Sequence, residues 1–390
     1  MPEWSNWSGS VVAPTGAILA PSTEAEVAEI VRRAARDGTT VRVAGSGHSF
    51  TPIVPSPDCI LSLDALAGLL AADPATGRAT LLAGTKLHTA TRLLWQNGLA
   101  LANQGDVDVQ SVAGAIATGT HGTGPAYGNI PSRLVGARLV TADSDFLDVT
   151  PDLLPAIRVS LGLLGVMTRA EIACVPRYAL HERVWQHPIE ECLEALERNI
   201  AENDHYEFFW FPRSDIAESK ALNPVAAEPA EEEPPPLEGP GERIGWSHRI
   251  YPSVRNLRFN EMEYAVPAEA GPACFRAVRE RMRSRHPKVG WPVEYRTLAA
   301  DDAWLSPAYG RPTVTISIHQ DADRPYAKFF ADIEAIFRDY AGRPHWGKIH
   351  TASRDELARL YPRFEQFVEL RRQLDPDGRF LSPALAPLFA

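Results

Sequence analysis

Two stretches of nearly bare backbone, about sixty residues apart, constrain this chain more than any other feature of its sequence. The first is Val41-Arg42-Val43-Ala44-Gly45-Ser46-Gly47-His48-Ser49-Phe50, in which Val41, Val43 and Ala44 spell a short buried strand and Gly45-Ser46-Gly47 a tight turn. Consecutive N–H groups in such a turn form a concavity that suits a pyrophosphate, although a plain strand-ending turn satisfies the same string. The dinucleotide fingerprint of doubly wound folds needs a third glycine that opens a helix. Here His48, Ser49, Phe50 and Pro52 follow instead. The second stretch runs from Ser111 to Gly124 and has almost no bulky or charged side chains, so it is expected to form loop rather than core. Small residues at that density mean that something approaches the backbone closely. A large planar cofactor with a diphosphate would require this of two loops at once.

At 390 residues the chain is long enough for two domains with ample core. A net charge of −10 argues against a nucleic-acid groove. The N-terminus has no signal-peptide pattern, and the longest apolar run, Leu153 to Met167, contains Arg158 and is too short for a membrane span. Cys59, Cys174, Cys192 and Cys274 show no CxxC spacing, which implies neither zinc nor a disulfide framework and leaves a reducing cytoplasm as the expected location.

Periodicity places a helix over 22–38, opened by a Thr23/Glu26 capping box and stopped at Gly38, and another over Lys86–Asn97 ahead of Gly98. A strand is expected at Val135–Val140, a helix from about Asp152, and a strand from Arg169 to Val175, with Pro176 as a domain boundary. Beyond it, Glu207–Phe211 reads as a strand covered on both faces and Asn260–Val266 as an alternating, half-buried one. Val225 to Glu242, almost all Ala, Glu, Pro and Gly, reads as an exposed loop. Then come a strand at Val314–His319, a helix over Tyr326–Tyr340 stopped at Gly342, and two helices capped by Ser353 and Glu356 and broken at Pro362.

The two glycine stretches, together with Asn103-Gln104-Gly105-Asp106, Arg158–Gly162, Leu164-Gly165-Val166, Glu294-Tyr295-Arg296 and His345-Trp346-Gly347-Lys348, resemble the vanillyl-alcohol-oxidase-type (PCMH-type) flavoproteins. Within that group the chain is most similar to the aldonolactone oxidoreductases, with alditol oxidase a near relative. The resemblance implies an α+β fold of two domains. Residues 1–176 would bind FAD, 177–342 would form a substrate (cap) domain with an antiparallel sheet flanked by helices, and 343–390 would return to complete the active site. It implies FAD attached covalently through His48, and a cofactor shell of Val43, Ala44, Gly45, Ser46, Gly47, His48, Ser49, Gln104, Gly105, Asp106, Ser111, Gly114, Ala115, Thr118, His121, Gly122, Gly165, Val166 and His345. No metal is expected.

Glu294 and Arg296 are the best catalytic candidates. In a strand the i, i+2 spacing points both side chains the same way. On spacing alone this is an ordinary ion pair; by resemblance it holds sugar hydroxyls over the flavin. Lys348 is implied to reach the substrate oxygen, as base or as electrostatic partner, and His319 lies on the following strand near the same place. The implied reaction is oxidation of an L-gulono- or D-arabinono-1,4-lactone at C2, with hydride passing to flavin N5 and electrons going to O2 or another acceptor. Oxidation of an alditol at its terminal CH2OH is the alternative, and a flavin-binding protein without turnover a third reading.

Overall fold

The computed structural model describes residues 1–226, 229, 233–237, 239–253 and 256–390. Helices and largely antiparallel sheets are mixed along the chain, so the α+β expectation holds. The helix Glu24–Asp37 starts where Thr23 accepts the Glu26 amide and ends at Gly38, whose φ of 63° relieves the left-handed turn. Glu26 reaches back one residue further than a capping box requires, to the amide of Ser22. This helix and Leu87–Gln96 cover a three-stranded parallel sheet (Ala17–Leu19, Cys59–Ser62, Val41–Ala44) and a five-stranded antiparallel one. They share one apolar core, to which Trp346, Phe364, Phe367 and Phe389 from the end of the chain also belong, as do Ala303 and Leu305.

A second core lies under an eight-stranded antiparallel sheet. Its strand order is Gly241–Trp246, Ala179–Pro188, Ile216–Val225, His205–Phe211, Val293–Leu298, Thr313–Asp321, Phe259–Pro267, Arg343–Pro344. Because alternate side chains face opposite ways, Phe208, Trp210, Tyr295, Ile316, Ile318, Met262 and Tyr264 all enter the core, where Phe275 and Phe337 come from the covering helices. The opposite face collects the polar residues of the same strands.

Five expectations need correction. Residues 112–118 form a helix capped by Ser111, with Val112, Ala115 and Ile116 in the first core; the small side chains let it lie close under the strands instead of leaving it as loop. The strand Phe259–Pro267 is buried on both faces, not half-buried, because its polar face lies against other polar groups and not against water. The strand expected over Arg169–Val175 spans Val166–Ala173, and Val175–Pro176 pairs separately with Leu99–Ala100 before the chain enters the large sheet. The loop expected over 225–242 lies partly outside the described residues, and its ends belong to strands at Val225 and Gly241. The helix Ala327–Asp339 reverses at Ala341 (φ 51°), one residue before the expected glycine. No described helix is long and apolar enough to cross a membrane.

Arg42 fastens the end of the chain to the first sheet. Its guanidinium is buried and donates to the carbonyls of Ile53, Leu161, Gly162 and Phe380. Burial lowers its pKa to about 10, against the pull of Asp375. Arg42→Met leaves these carbonyls without their donor and should cost about 3 kcal/mol or more, read as a fall in the guanidinium unfolding midpoint; an unchanged midpoint would show that the carbonyls are rehydrated at no cost.

Candidate active site

The strand Val41–Ala44 delivers the Gly45 turn against the N-terminus of the helix Val112–Thr118. The approach is so close that a Cβ on Gly45 would come within 2.4 Å of the Ser111 hydroxyl, the same oxygen that caps the helix through the Gly114 amide at 3.2 Å. A cleft opens there. Val43, Ala44, Gly45, Ser46, Gly47, His48, Ser49, Ser111, Gly114, Thr118 and Gly165 line it. Ala115 and Val166 do not: both are fully buried in the first core.

At His48, Ser49, Gln110 and Thr118 this cleft meets a wider cavity of about 610 Å³. His48 stacks on Trp7 with ring centroids 5.1 Å apart. Burial, helped by the nearby Lys348 and Lys86 charges, lowers its pKa to about 4, so the ring is neutral at physiological pH. Gly105, Asp106, His121 and His345 line the wider cavity, as do Glu294, Arg296, His319 and Lys348. Gln104 and Gly122 stand behind, in a smaller pocket that shares the Glu294–Arg296 pair.

Glu294 and Arg296 do point the same way, 3.3 Å apart, and both are buried. Two residues that sequence reasoning missed hold the arrangement together. Glu263 accepts from Arg296 at 2.7 Å, from Ser317 at 2.7 Å and bonds His121 at 2.6 Å. Glu261 pairs with Lys348 and lies 3.7 Å from His319. Their signal was present: Glu261-Met262-Glu263 repeats the i, i+2 spacing of Glu294-Tyr295-Arg296.

Burial works against every one of these charges, and the partners decide the outcome. For Glu263 the charges of His121 and Arg296 outweigh burial and hold the carboxyl well below the usual range; Lys348 and His319 do the same for Glu261. For Glu294 burial wins over Arg296, with Glu207 and Glu261 adding to it, and its pKa is raised. Arg296 is held charged by Glu294 and Glu263 in spite of its burial. Burial takes His345 down to about 3; its Nδ1 accepts the Gly347 amide at 3.1 Å. Two triads, His121–Glu263–His345 and Glu261–Glu294–His319, bring potential metal ligands within 4.8 Å of one another. Their carboxylates are already engaged by Arg296, Ser317 and Lys348, so a cation would have to displace those partners.

The cleft fits FAD on its own features. Its backbone has no room for side chains at Gly45, a neutral imidazole stands where the cavities join, and the buried Oε1 of Gln110 on its wall lacks a protein partner. Comparison with known proteins agrees. Residues 15–150 match the FAD binding domain family, and residues 170–239 and 237–387 match the D-arabinono-1,4-lactone oxidase family. The chain is 37% identical to the L-gulono-1,4-lactone dehydrogenase of Mycobacterium tuberculosis, over 98% of this chain and 97% of that one. It is 27% identical to the L-gulonolactone oxidase of Mus musculus (99% and 98% covered) and 29% to the alditol oxidase of a Streptomyces species (98% and 98%). Cholesterol oxidase from B. sterolicum shares the fold, with a TM-score of 0.87 at 16% identity over 100% of this chain and 96% of that one. Fold and site therefore define an FAD-dependent oxidoreductase. Within that class, the chain belongs to the D-arabinono-1,4-lactone oxidase family.

The pKa directions set a pH dependence. The folded pKa of His345 is depressed to about 3, so its contribution to stability is present above its unfolded value of 6.5 and is lost as pH falls through the folded one. Glu263 and Glu261, also depressed, add losses only below their unfolded value of 4.5. The thermal midpoint should thus fall as pH drops from 6.5 toward 4.5, and His345→Asn should flatten that limb by about one proton taken up on unfolding. A limb of unchanged slope in the variant would show that the imidazole is protonated in the fold.

Proposed function

We propose that this protein oxidises an aldono-1,4-lactone of the L-gulono or D-arabinono type at C2. The resulting ketolactone enolises to an enediol, and the electrons pass to dioxygen or another acceptor. The charge balance of the pocket carries this reading. Six carboxylates (Asp106, Asp108, Glu218, Glu261, Glu263, Glu294) line the wide cavity against the permanent cations Arg296 and Lys348, both already paired. An anionic sugar acid would find no unpaired cation among these lining residues and would meet an excess of negative charge. A neutral, hydroxyl-rich ring finds acceptors for each O–H.

Bound in the cleft, FAD supplies the hydride acceptor. The remaining work belongs to the side chains. Arg296 and Lys348 donate to the substrate oxygens at fixed positions, because Glu263 and Glu261 hold them from behind. Glu294, with its raised pKa, takes the proton of the reacting hydroxyl; a carboxyl shifted toward neutrality suits proton exchange. Lys348, already engaged by Glu261, acts as an electrostatic partner and not as the base. His319 is turned by its Nδ1 contact to the Pro292 carbonyl, 2.9 Å away, and presents Nε2 to Glu261.

His48 carries the FAD covalently in this reading: it is neutral, stacked in place by Trp7, and lines both cavities. Residues 1–176 with 343–390 form the cofactor-holding unit and 177–342 the substrate-facing one. The two separate cores support this division, with Ala303 and Leu305 crossing to the first.

Anaerobic mixing with L-gulono- or D-arabinono-1,4-lactone should bleach the flavin, the corresponding free aldonates should not, and alditols should do so more slowly. Faster bleaching by xylitol or sorbitol would transfer the assignment to an alditol oxidase. Arg296→Ala or Lys348→Met should slow bleaching by about 100-fold without matching loss of flavin; parallel loss of both would make these residues structural. Acid precipitation should leave the colour with the polypeptide, and with His48→Ala it should pass into the supernatant.

A further inference from the structure

Behind the Glu294–Arg296 pair lies a separate small cavity, walled by that pair and by Gln104, Glu207, Lys220, Leu222 and Tyr251. It offers about 20 Å³ to a water's centre, more than the ~10–15 Å³ that seats one molecule. Two buried donors on its walls, Gln104 Nε2 and Arg296 Nε, have no protein partner. A polar cavity of this size with unpartnered groups is where ordered water resides. Strand register carries the polar line onward from there. Arg296 stands opposite Glu207, and Glu207 opposite Lys220. Lys220 Nζ lies 3.2 Å from Glu207 and 3.7 Å from Glu182, which in turn pairs with Arg243. The Lys220 side chain is 17% exposed, and Arg243 beyond Glu182 is 15% exposed.

We propose that this cavity is the proton exit of the reaction: the proton taken up by Glu294 leaves through a water held there to Glu207, and from Glu207 to bulk solvent at the Lys220 rim. The proposal rests on the reading of the protein as a hydroxyl-oxidising enzyme in which Glu294 receives the proton. The steps balance. The O–H bond of the Glu294 carboxyl breaks as the cavity water gains a proton. That water passes a proton to the Glu207 carboxylate, which releases it to solvent and returns to its starting state. No electron moves. The groups facing Glu294 are consistent with one-way transfer. Arg296 sits on its own strand and Glu207 and Lys220 lie on one side. Glu261, Glu263 and His319 crowd the other side, where Glu261 and Glu263 are tied to Lys348 and to Arg296 and His121. Asp106 and His205 complete the walls. The route through the small cavity leads Glu294 to Glu207, a carboxylate that lies outside the wide cavity and is paired with Lys220.

The test follows two signals after anaerobic mixing of the flavin-loaded protein with the lactone in weak buffer: bleaching of the flavin and the colour of a pH-indicator dye. In the native protein, proton release should keep pace with bleaching. Glu207→Gln removes the acceptor, and Leu222→Phe fills the cavity without touching a titratable group. In each, the ratio of proton-release rate to bleaching rate should fall by about tenfold or more. Release that stays in step with bleaching in Leu222→Phe, the variant that keeps every charge, would overturn the proposal and send the proton out through the wide cavity. If no lactone or polyol bleaches the native flavin, the functional reading itself fails, and the two failures are distinguishable.

Discussion

The Glu263 carboxylate is the interaction on which the arrangement of this site depends. It is 1% exposed, and a carboxylate so deeply buried is tolerable only when its lone pairs are filled by strong donors. Arg296 and Ser317 approach from neighbouring strands of the large sheet, and His121 from the second glycine stretch. One side chain therefore fixes the guanidinium on the substrate side and a loop on the cofactor side in a single geometry. Removing one partner would strand a charge, so the two lobes are held in register by the cost of any alternative. A substrate binding here meets donors whose positions are already set, which lowers the ordering cost of the reactive complex.

The large sheet makes such a site possible because its strands do two incompatible tasks on their two faces. Phe208, Trp210, Tyr295 and Ile316 pack a dry core, while Glu207, Glu294, Arg296 and Ser317, their immediate neighbours in sequence, build a charged floor. Period two allows this with no compromise in either layer. It also explains why every cation of the floor is matched: an apolar layer directly beneath gives little dielectric relief, and charges in such a place persist only in mutual pairs.

Much of this was legible in the sequence, and what was not has physical causes. The Gly45 turn stood out as bare backbone, and the structure gives the reason: a Cβ there would come within 2.4 Å of the Ser111 hydroxyl and force it to shift. The spacing of Glu294 and Arg296 put both on one face of a strand but read only as an ordinary ion pair; it was the family resemblance that pointed to a site there. Glu261 and Glu263 were not legible. Their alternation with Met262 and Tyr264 has the same pattern as a strand with one wet face, and pattern alone does not tell water from a second polar layer. The helix 112–118 was hidden for a related reason. Periodicity finds helices through bulky apolar stripes, and this one packs through Val112, Ala115 and Ile116 at close range, with a serine cap that reads equally well as loop. Ala115 and Val166, expected beside the cofactor, sit next to Gly114 and Gly165, which line the cleft; helix and strand periodicity turn these two into the core.

The paired charges of the floor also bear on which of the related chemistries this pocket can favour. Lys348 is drawn toward Glu261 and Arg296 toward Glu263 and Glu294, so neither cation can neutralise a substrate carboxylate without abandoning a buried partner. A lactone presents its oxygens as neutral acceptors and leaves those pairs intact. Negative charge that develops on the reacting oxygen as its proton leaves is a different matter. It is transient, it lies beside both cations at once, and their geometry needs no rearrangement to respond. The same pairing that turns away a permanent anion is thus suited to a passing one, which is the distinction between binding an acid and oxidising an alcohol.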